Sequence, residues 1–412
     1  MVKNGNQINM EKQEKKQIKP LCLSFWTPPT NRPQAILIGK MIPEWINQGI
    51  RPVIVTYEKN GDWNIDTPVY KIPQFKLPKI LNRILPIRAY MRRRYQNQIV
   101  RNLIEIIKKH DLNLIFSFAN PQESNVIGSI IKEKAGTPFV SHFSDPWYDN
   151  PCVSMSFWRK KMVLKQEKRI IKNSNVAIFI NAYLRDMVMK KYPQEWQKRG
   201  VVIHHSFSPN DYSLKKNTIP KNKNEFVFSY VGVFYKDRNP EIIFQALNKI
   251  IGDDKNLAQK IKFQIIGCDS GYTDFPIDKV KKMIADYELD NVVTLIPRVS
   301  YQESLKYMQL SDCLIIVDLK YELGYCLPSK IVDYAGSGSV ILGVANQDSP
   351  VANFLQELGY KSFTYEQINE LASYMKKIIT GQIKTKKNDE FLNQFSVAST
   401  TRELLKLFSK VI

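Results

Sequence analysis

CLIIVDLKYELGYCLPSKIVDYAGSGSVILGV, residues 313 to 344, is the stretch on which the reading of the fold turns. Its first five residues, Cys313 to Val317, are apolar without alternation, the pattern of a strand buried on both faces of a parallel sheet. The loop that follows carries Glu322, Gly324 and Pro328, and a helix is expected from near Pro328, a residue suited to a first helical turn. Lys330 and Asp333 lie three apart and share one face of that helix. After Gly336-Ser337-Gly338 the next strand begins, Val340 to Val344. A loop at the carboxyl end of a parallel strand, feeding a helix N-terminus, is where open α/β sheets bind phosphorylated ligands. A lysine, two carboxylates and free amides there suit a diphosphate and a ribose. They equally suit an ordinary strand–loop–helix with surface charges, a unit that recurs in many folds.

Outward from this stretch the same alternation repeats. Upstream lie a strand at Phe226 to Tyr230, its loop Gly232 to Pro240, a helix Glu241 to Ile250, and strands at Ile261 to Ile266 and Val292 to Leu295, with helices between them. The first half of the chain alternates likewise: strands at Leu21 to Phe25, Pro52 to Tyr57, Leu114 to Phe118, Thr137 to Ser141, Val176 to Ile180 and Val201 to Ile203. Residues 58 to 87 read as irregular. Met91, Tyr95, Ile99, Leu103 and Ile107 recur every fourth residue over a helix from about Arg88 to Lys109, and are expected to form one buried stripe. HFSDPW, residues 142 to 147, ends a strand and sets His142 and Asp145 three apart, as donor and acceptor for a cleft or as plain turn chemistry. Residues 209 to 224 are polar and turn-rich, and the domain boundary is placed there. The expected division is a polar tail (1–18), a first domain (19–210), a linker (211–224), a second domain (225–385), and a C-terminal helical segment (386–412) packing back on the first domain. The fold class is therefore α/β, two Rossmann-like parallel-sheet domains facing a cleft, which is where ligands of such proteins bind.

Composition narrows the function. A length of 412 residues suits two domains, and 43% hydrophobic content is enough for two cores. No apolar run reaches the roughly 18–20 residues that cross a bilayer. The N-terminus, MVKNGNQINMEKQEKKQIKP, lacks an apolar core and does not read as a secretory signal. Five widely spaced cysteines without C-x-x-C read as reduced thiols of a cytoplasmic protein, and four histidines without H-x-x-x-H argue against a zinc site. The net charge of +21 favours polyanions: nucleic acid, an anionic membrane surface or phosphorylated substrates. It concentrates in the first half. Ten Lys or Arg against Glu105 alone lie between Lys76 and His110, and a second cluster runs Arg159-Lys160-Lys161, Lys165, Lys168-Arg169 and Lys172 against Glu167.

Taken in order, several segments resemble a GT-B fold glycosyltransferase, most similar to glycosyltransferase family 4, the group 1 transferases of polysaccharide and capsule type. HFSDPW resembles that group's D-P-W turn. Val202-Ile203 with His204-His205-Ser206 sits where the family writes V-I-P-N-G. SYVGVFYKDRNPEIIFQAL (229–247) resembles Y-x-G-x-x-Y-x-x-R-x-P-x-x-x-x-x-A-L, and LPSKIVDYAGSGSVIL (327–342) resembles P-x-K-x-x-E-Y-x-A-x-G-x-P-I-L. The resemblance implies that the first domain takes the acceptor and the second the donor. By position Arg238 would hold the donor diphosphate from the loop opening at Gly232, with Lys236 as helper, and Lys330 would assist. Arg298 and Val299 would meet the base through the backbone, and Asp333 the ribose hydroxyls. Glu322 would face the transferred sugar, which His142 would also contact, and Gly324 would belong to the donor-binding loop. Val233 stands where the family has arginine, Asp333 is one methylene short of its glutamate, and no glycine-rich loop follows the first strand.

The activity so implied is transfer from a nucleoside-diphosphate sugar to a hydroxyl acceptor with retention. No metal or other cofactor would be required, because fixed cations and a helix N-terminus neutralise the departing diphosphate. Asp145 is the candidate base should the reaction invert. The expected acceptor is a lipid-linked or cell-envelope glycan, met in the cytoplasm or at the inner face of a membrane. Charge alone supports another class, a nucleic-acid-binding protein or a transferase that glucosylates DNA, although no reader motif accompanies the basic runs. A sugar-nucleotide epimerase would share the architecture, but its catalytic acids are not recognisable.

Overall fold

The computed structural model describes residues 17–30, 32–57, 65–212, 222, 224–269, 275–320, 325–383 and 385–412. Among them two all-parallel sheets form. The first contains β1 (Pro20–Leu23), β2 (Val53–Tyr57), β3 (Val69–Ile72), β4 (Leu114–Phe118), β5 (Phe139–Phe143), β6 (Val176–Phe179) and β7 (Gly200–Val202), in the order β3-β2-β1-β4-β5-β6-β7. The second contains β8 (Phe226–Val231), β9 (Ile261–Ile266), β10 (Val293–Ile296), β11 (Cys313–Val317), β12 (Val340–Val344) and β13 (Lys361–Phe363), in the order β10-β9-β8-β11-β12-β13. The central strands are buried on both faces, as LIFSF in β4 and CLIIV in β11 require. The registers Cys313↔Phe228 and Cys313↔Val340 hold β11 between β8 and β12.

In each sheet the strand order reverses once, between β1 and β4 and between β8 and β11. The loops leaving the two strands diverge there and open a crevice at the carboxyl edge. The two domains are tied at their backs. The Val397–Val411 helix inserts Leu404 and Phe408 into the core of the first sheet, with the Phe408 ring 5.1 Å from Phe116. The Gln48 side-chain amide donates to the Ala398 carbonyl at 3.1 Å.

Two strands lie where the sequence pattern had none. β3 (VYKI) falls inside the stretch read as irregular, and β13 (KSF) follows β12. Both are short edge strands whose residues, Ile72 apart, are exposed or half-buried, so neither shows the apolar run of a central strand. The expected stripe on the long helix is also only partly buried. That helix spans Leu85–Lys109; Ile99, Leu103 and Ile107 are in the core, whereas Met91 and Tyr95 are half-buried. The Tyr95 hydroxyl bonds the Pro73 carbonyl at 2.7 Å, just beyond the end of β3, so the first turns of the helix extend past the sheet that covers the rest.

Candidate functional site

The carboxyl ends of β8 and β11 gather most of the second domain's candidate residues. β8 ends at Val231 and turns at Gly232, whose φ of +122° is a conformation side chains rarely adopt. A Cβ there would sit 3.5 Å from the Lys330 ammonium. Lys330 opens the Lys330–Ser337 helix, two residues after Pro328, and its Nζ donates to the Val231 carbonyl at 3.2 Å and lies 3.5 Å from the centre of the Tyr230 ring. The side chain as a whole is half-buried, but its ammonium is packed against that ring. Burial, and then the nearby Arg238 charge, lower its pKa well below the ordinary lysine value.

Arg238 is held in the same crevice by a tight turn, in which Tyr235 and Arg238 exchange backbone hydrogen bonds of 3.0 Å. Its guanidinium is buried, with Nη2 3.4 Å from the Cys326 sulfur and 3.7 Å from Asp318 Oδ1; Nε has no partner among the described residues. Asp318 directly follows β11 and is fully buried. Burial raises its carboxyl to about 6 against the opposing pull of Arg238, the Leu319 amide and the Ser349 hydroxyl. Two cations thus share one crevice with Asp318, a carboxylate that burial makes reluctant to ionise.

Across the cleft, at the carboxyl ends of β4 and β5, Asn120 donates its side-chain amide to Asp145. Asn120 itself has φ +62°. Asp145 is raised by burial and lowered by that amide and by Arg238, so its field reaches the second domain. Tyr325 closes the gap: its carbonyl accepts from the Asn181 side chain at 3.0 Å, and its hydroxyl lies 3.6 Å from Cys152 Sγ. Arg238, Lys330, Gly232 and Asp145 therefore share one cleft.

His142 and Asp333 are placed differently. His142 is buried beside Phe118, 4.6 Å between ring centroids, facing a cavity of about 10 Å³ shared with Met41, His205 and Leu404. Burial lowers its pKa to about 3, so the ring is neutral, and Nδ1 has no partner among the described residues. Asp333, one turn beyond Lys330, points to the first domain. Lys40 of the Pro33–Asn47 helix reaches it at 2.9 Å, and both side chains are buried, 2% and 7% exposed. The Tyr301 and Tyr212 hydroxyls approach the same oxygen at 3.3 and 3.4 Å.

Arg298 and Val299 lie in the loop after β10, where the backbone passes Gly267, the turn after β9. Lys236 is exposed on the turn that carries Arg238. Glu322 and Gly324 lie outside the described residues. Sequence reasoning missed Asp318, although a carboxylate immediately after a buried parallel strand was a visible signal. It also missed Lys40, Asn120 and Cys326, whose partners lie far away in sequence and which no local pattern marks. Among the described residues no three His, Cys, Asp or Glu gather as a metal would need, and no helix is long and apolar enough to cross a membrane.

Comparison with known proteins agrees with this architecture. Residues 211–324 match the family model of the group 1 glycosyl transferases, a segment that holds Gly232, Lys236, Arg238, Arg298 and Val299. No curated protein matches the chain in sequence. Among solved structures, sucrose-phosphate synthase (tll1590) from Thermosynechococcus elongatus superposes with a TM-score of 0.70 at 13% identity, covering 95% of this chain and 98% of that one. Anabaena Alr3699/HepE in complex with UDP and glucose gives 0.64 at 15% identity, covering 95% and 100%. The apo lipopolysaccharide outer core galactosyltransferase WaaB gives 0.61 at 13% identity, covering 95% and 99%. The fold is GT-B, α/β with two parallel sheets facing a cleft, and its second half carries the group 1 glycosyl transferase match.

Proposed function

We propose that the chain is a nucleotide-sugar-dependent glycosyltransferase, moving a hexosyl group from a nucleoside-diphosphate sugar to a hydroxyl acceptor with retention. The observation that carries this reading is the pair Arg238 and Lys330. Lys330 is held at a helix start, beside a glycine turn, with its charge disfavoured by burial and by its cationic neighbour. Such a pair is stabilised by a dianion lying between them, and a diphosphate supplies one. The HepE structure that shares this fold holds UDP and glucose, which makes UDP the first donor nucleotide to test.

In this reading the bond from the anomeric carbon to the diphosphate oxygen breaks while the acceptor oxygen bonds that carbon. The acceptor proton passes to the leaving diphosphate, and Arg238, Lys330 and the amides at the start of the Lys330–Ser337 helix hold the charge that develops. The reaction so drawn needs no metal. Arg298 and Val299 meet the base and Glu322 the sugar, with Gly324 in the same donor loop; Gly232 lets the backbone approach, and Lys236 adds charge at the rim. Asp333, assigned to the ribose, and His142, assigned to the sugar, are held by other partners, Lys40 and the Phe118 ring. Asp145 would serve as the base if the outcome were inversion. A lipid-linked or cell-envelope glycan, of polysaccharide or capsule type, is the acceptor class the basic first domain suits, met by a cytoplasmic protein at the inner membrane face.

The test is a thermal-shift panel of nucleoside diphosphates and their sugars on the wild type and Arg238→Ala. A ligand at a hundredfold excess over its dissociation constant stabilises by about 2.7 kcal/mol. The expected result is a shift with one diphosphate that the variant loses. No shift with any of them at millimolar levels overturns the reading.

A further inference from the structure

We infer that the first domain docks on an anionic bilayer surface through two basic–apolar tips, residues 76–94 and 153–168. This inference does not rest on the donor site. It starts from which large apolar side chains stay in water. Of the eleven conspicuously exposed among the described residues, nine fall in two short segments. Ile80 (77% exposed), Ile84 and Tyr90 stand on the first, and Phe157, Trp158 (74%) and Met162 on the second. Scattered exposed apolar residues are ordinary; this concentration is not.

Topology brings the two segments to the same edge. In a parallel sheet each return helix starts at the carboxyl edge of the strands and runs back along the sheet. Arg92 lies 5.2 Å over the Phe75 ring and Tyr95 bonds the Pro73 carbonyl, which pegs the Leu85–Lys109 helix just past β3. What precedes Arg92 therefore extends beyond the sheet. The Phe157–Asn173 helix begins after β5, four strands along, and four strand spacings are about 19 Å. This is also the edge that bears the cleft.

Charge selects the partner. Lys76, Lys79, Arg93 and Arg94 are exposed on the first segment, and Arg159, Lys161, Lys165 and Lys168 on the second. No acid lies in 76–94, and the one acid in 153–168, Glu167, is fully buried and bonded to the Tyr192 hydroxyl, Lys191 and the Tyr148 amide. Cations around Trp, Tyr and aliphatic side chains match an interface with anionic headgroups above and acyl chains below. A nucleic acid would use the cations, but its phosphate backbone offers no apolar partner to Ile80 and Ile84. Docked this way, the cleft edge faces the membrane.

The experiment is co-sedimentation of the full chain with phosphatidylcholine vesicles, with and without phosphatidylglycerol, for the wild type, Ile80→Asp/Ile84→Asp, Phe157→Asp/Trp158→Asp and Arg93→Gln/Arg94→Gln. Binding to the phosphatidylglycerol vesicles alone is expected, weakened about tenfold or more in each variant. All substitutions lie on exposed side chains, and an unchanged melting temperature confirms that each variant is folded. Absence of binding to anionic vesicles overturns the inference. So does vesicle binding indifferent to both apolar double variants. Salt-sensitive binding to DNA or RNA that only the arginine variant loses assigns the patch to nucleic acid instead. The nucleotide thermal shift, intact in all three variants, keeps this question apart from the donor site.

Discussion

Lys40→Met tests how the two domains are joined. The pair Lys40–Asp333 is 2.9 Å long with both side chains almost wholly buried. At an effective dielectric near 20, two unit charges that close attract by about 6 kcal/mol, and desolvation of the two ions takes back several kcal/mol each, so the intact pair is near break-even. Removing one partner is another matter. The Asp333 carboxylate would stay buried with only the Tyr301 and Tyr212 hydroxyls, at 3.3 and 3.4 Å, to replace a full charge. The expected loss in Lys40→Met is about 3–5 kcal/mol. Lys40→Met/Asp333→Asn removes both charges and leaves an amide to receive the hydroxyls, so it should recover most of that loss. Urea and thermal unfolding of the four proteins of this cycle supply the measurement. A single variant within about 0.5 kcal/mol of the wild type, the range of an ordinary surface substitution, would refute the reasoning. A double variant no better than the single would refute the part that assigns the loss to the stranded carboxylate.

Two further outcomes follow from buried titrating groups. Lys330 has a folded pKa below its unfolded one, so the unfolded chain binds more protons across that interval and stability rises with pH through it. Lys330→Met should therefore not destabilise the unliganded chain at neutral pH, yet should lose the nucleotide thermal shift. As pH is raised toward the ordinary lysine range, UDP should bind the wild type with increasing proton uptake, read by calorimetry in buffers of different ionisation enthalpy, and heats independent of the buffer up to that range would contradict this. His142, held near 3 by burial, is neutral in the folded chain and protonates first when unfolded. Stability gained above the ordinary histidine range is lost as pH falls from about 6.5 toward 3, by about 3 kcal/mol between pH 7 and 4. His142→Phe should flatten the stability–pH curve over that span, and a curve parallel to the wild type would count against a neutral buried ring.

The fold class could be read from the sequence because parallel strands buried on both faces leave a local trace. LIFSF and CLIIV are such runs, and both form central strands. β3 and β13 left no trace because one face of each meets solvent and their pairing is decided by a neighbour. The candidate site divides the same way. Lys330 was legible because the first turn of a helix after a strand and loop is a position that sequence marks, and Arg238 through the motif resemblance around it. Asp318 was just as local and was overlooked because it reads as the end of an apolar run. Lys40 could not have been found by pattern. It sits on the Pro33–Asn47 helix at a position that would ordinarily be core, and its partner is 293 residues away.

Three of the polar atoms that the fold leaves unmatched lie at one edge of the two sheets. Arg238 Nε, Asp318 Oδ2 and His142 Nδ1 are buried without a partner among the described residues. Each costs about 1–3 kcal/mol relative to a bonded group. A fold selected for stability alone would replace them with apolar residues, which the cores around Ile315 and Phe116 show this chain packs readily. Instead they sit at or beside the carboxyl ends of β5, β8 and β11, the edge that carries the two strand-order reversals. Consistency between local chemistry and fold fails at functional sites before it fails elsewhere. Here it fails around Arg238, whose neighbour Lys330 is disfavoured as a cation by the same crevice. An anion bound between them relieves both defects at once, and the defects therefore argue for a ligand more directly than the resemblance of any one motif.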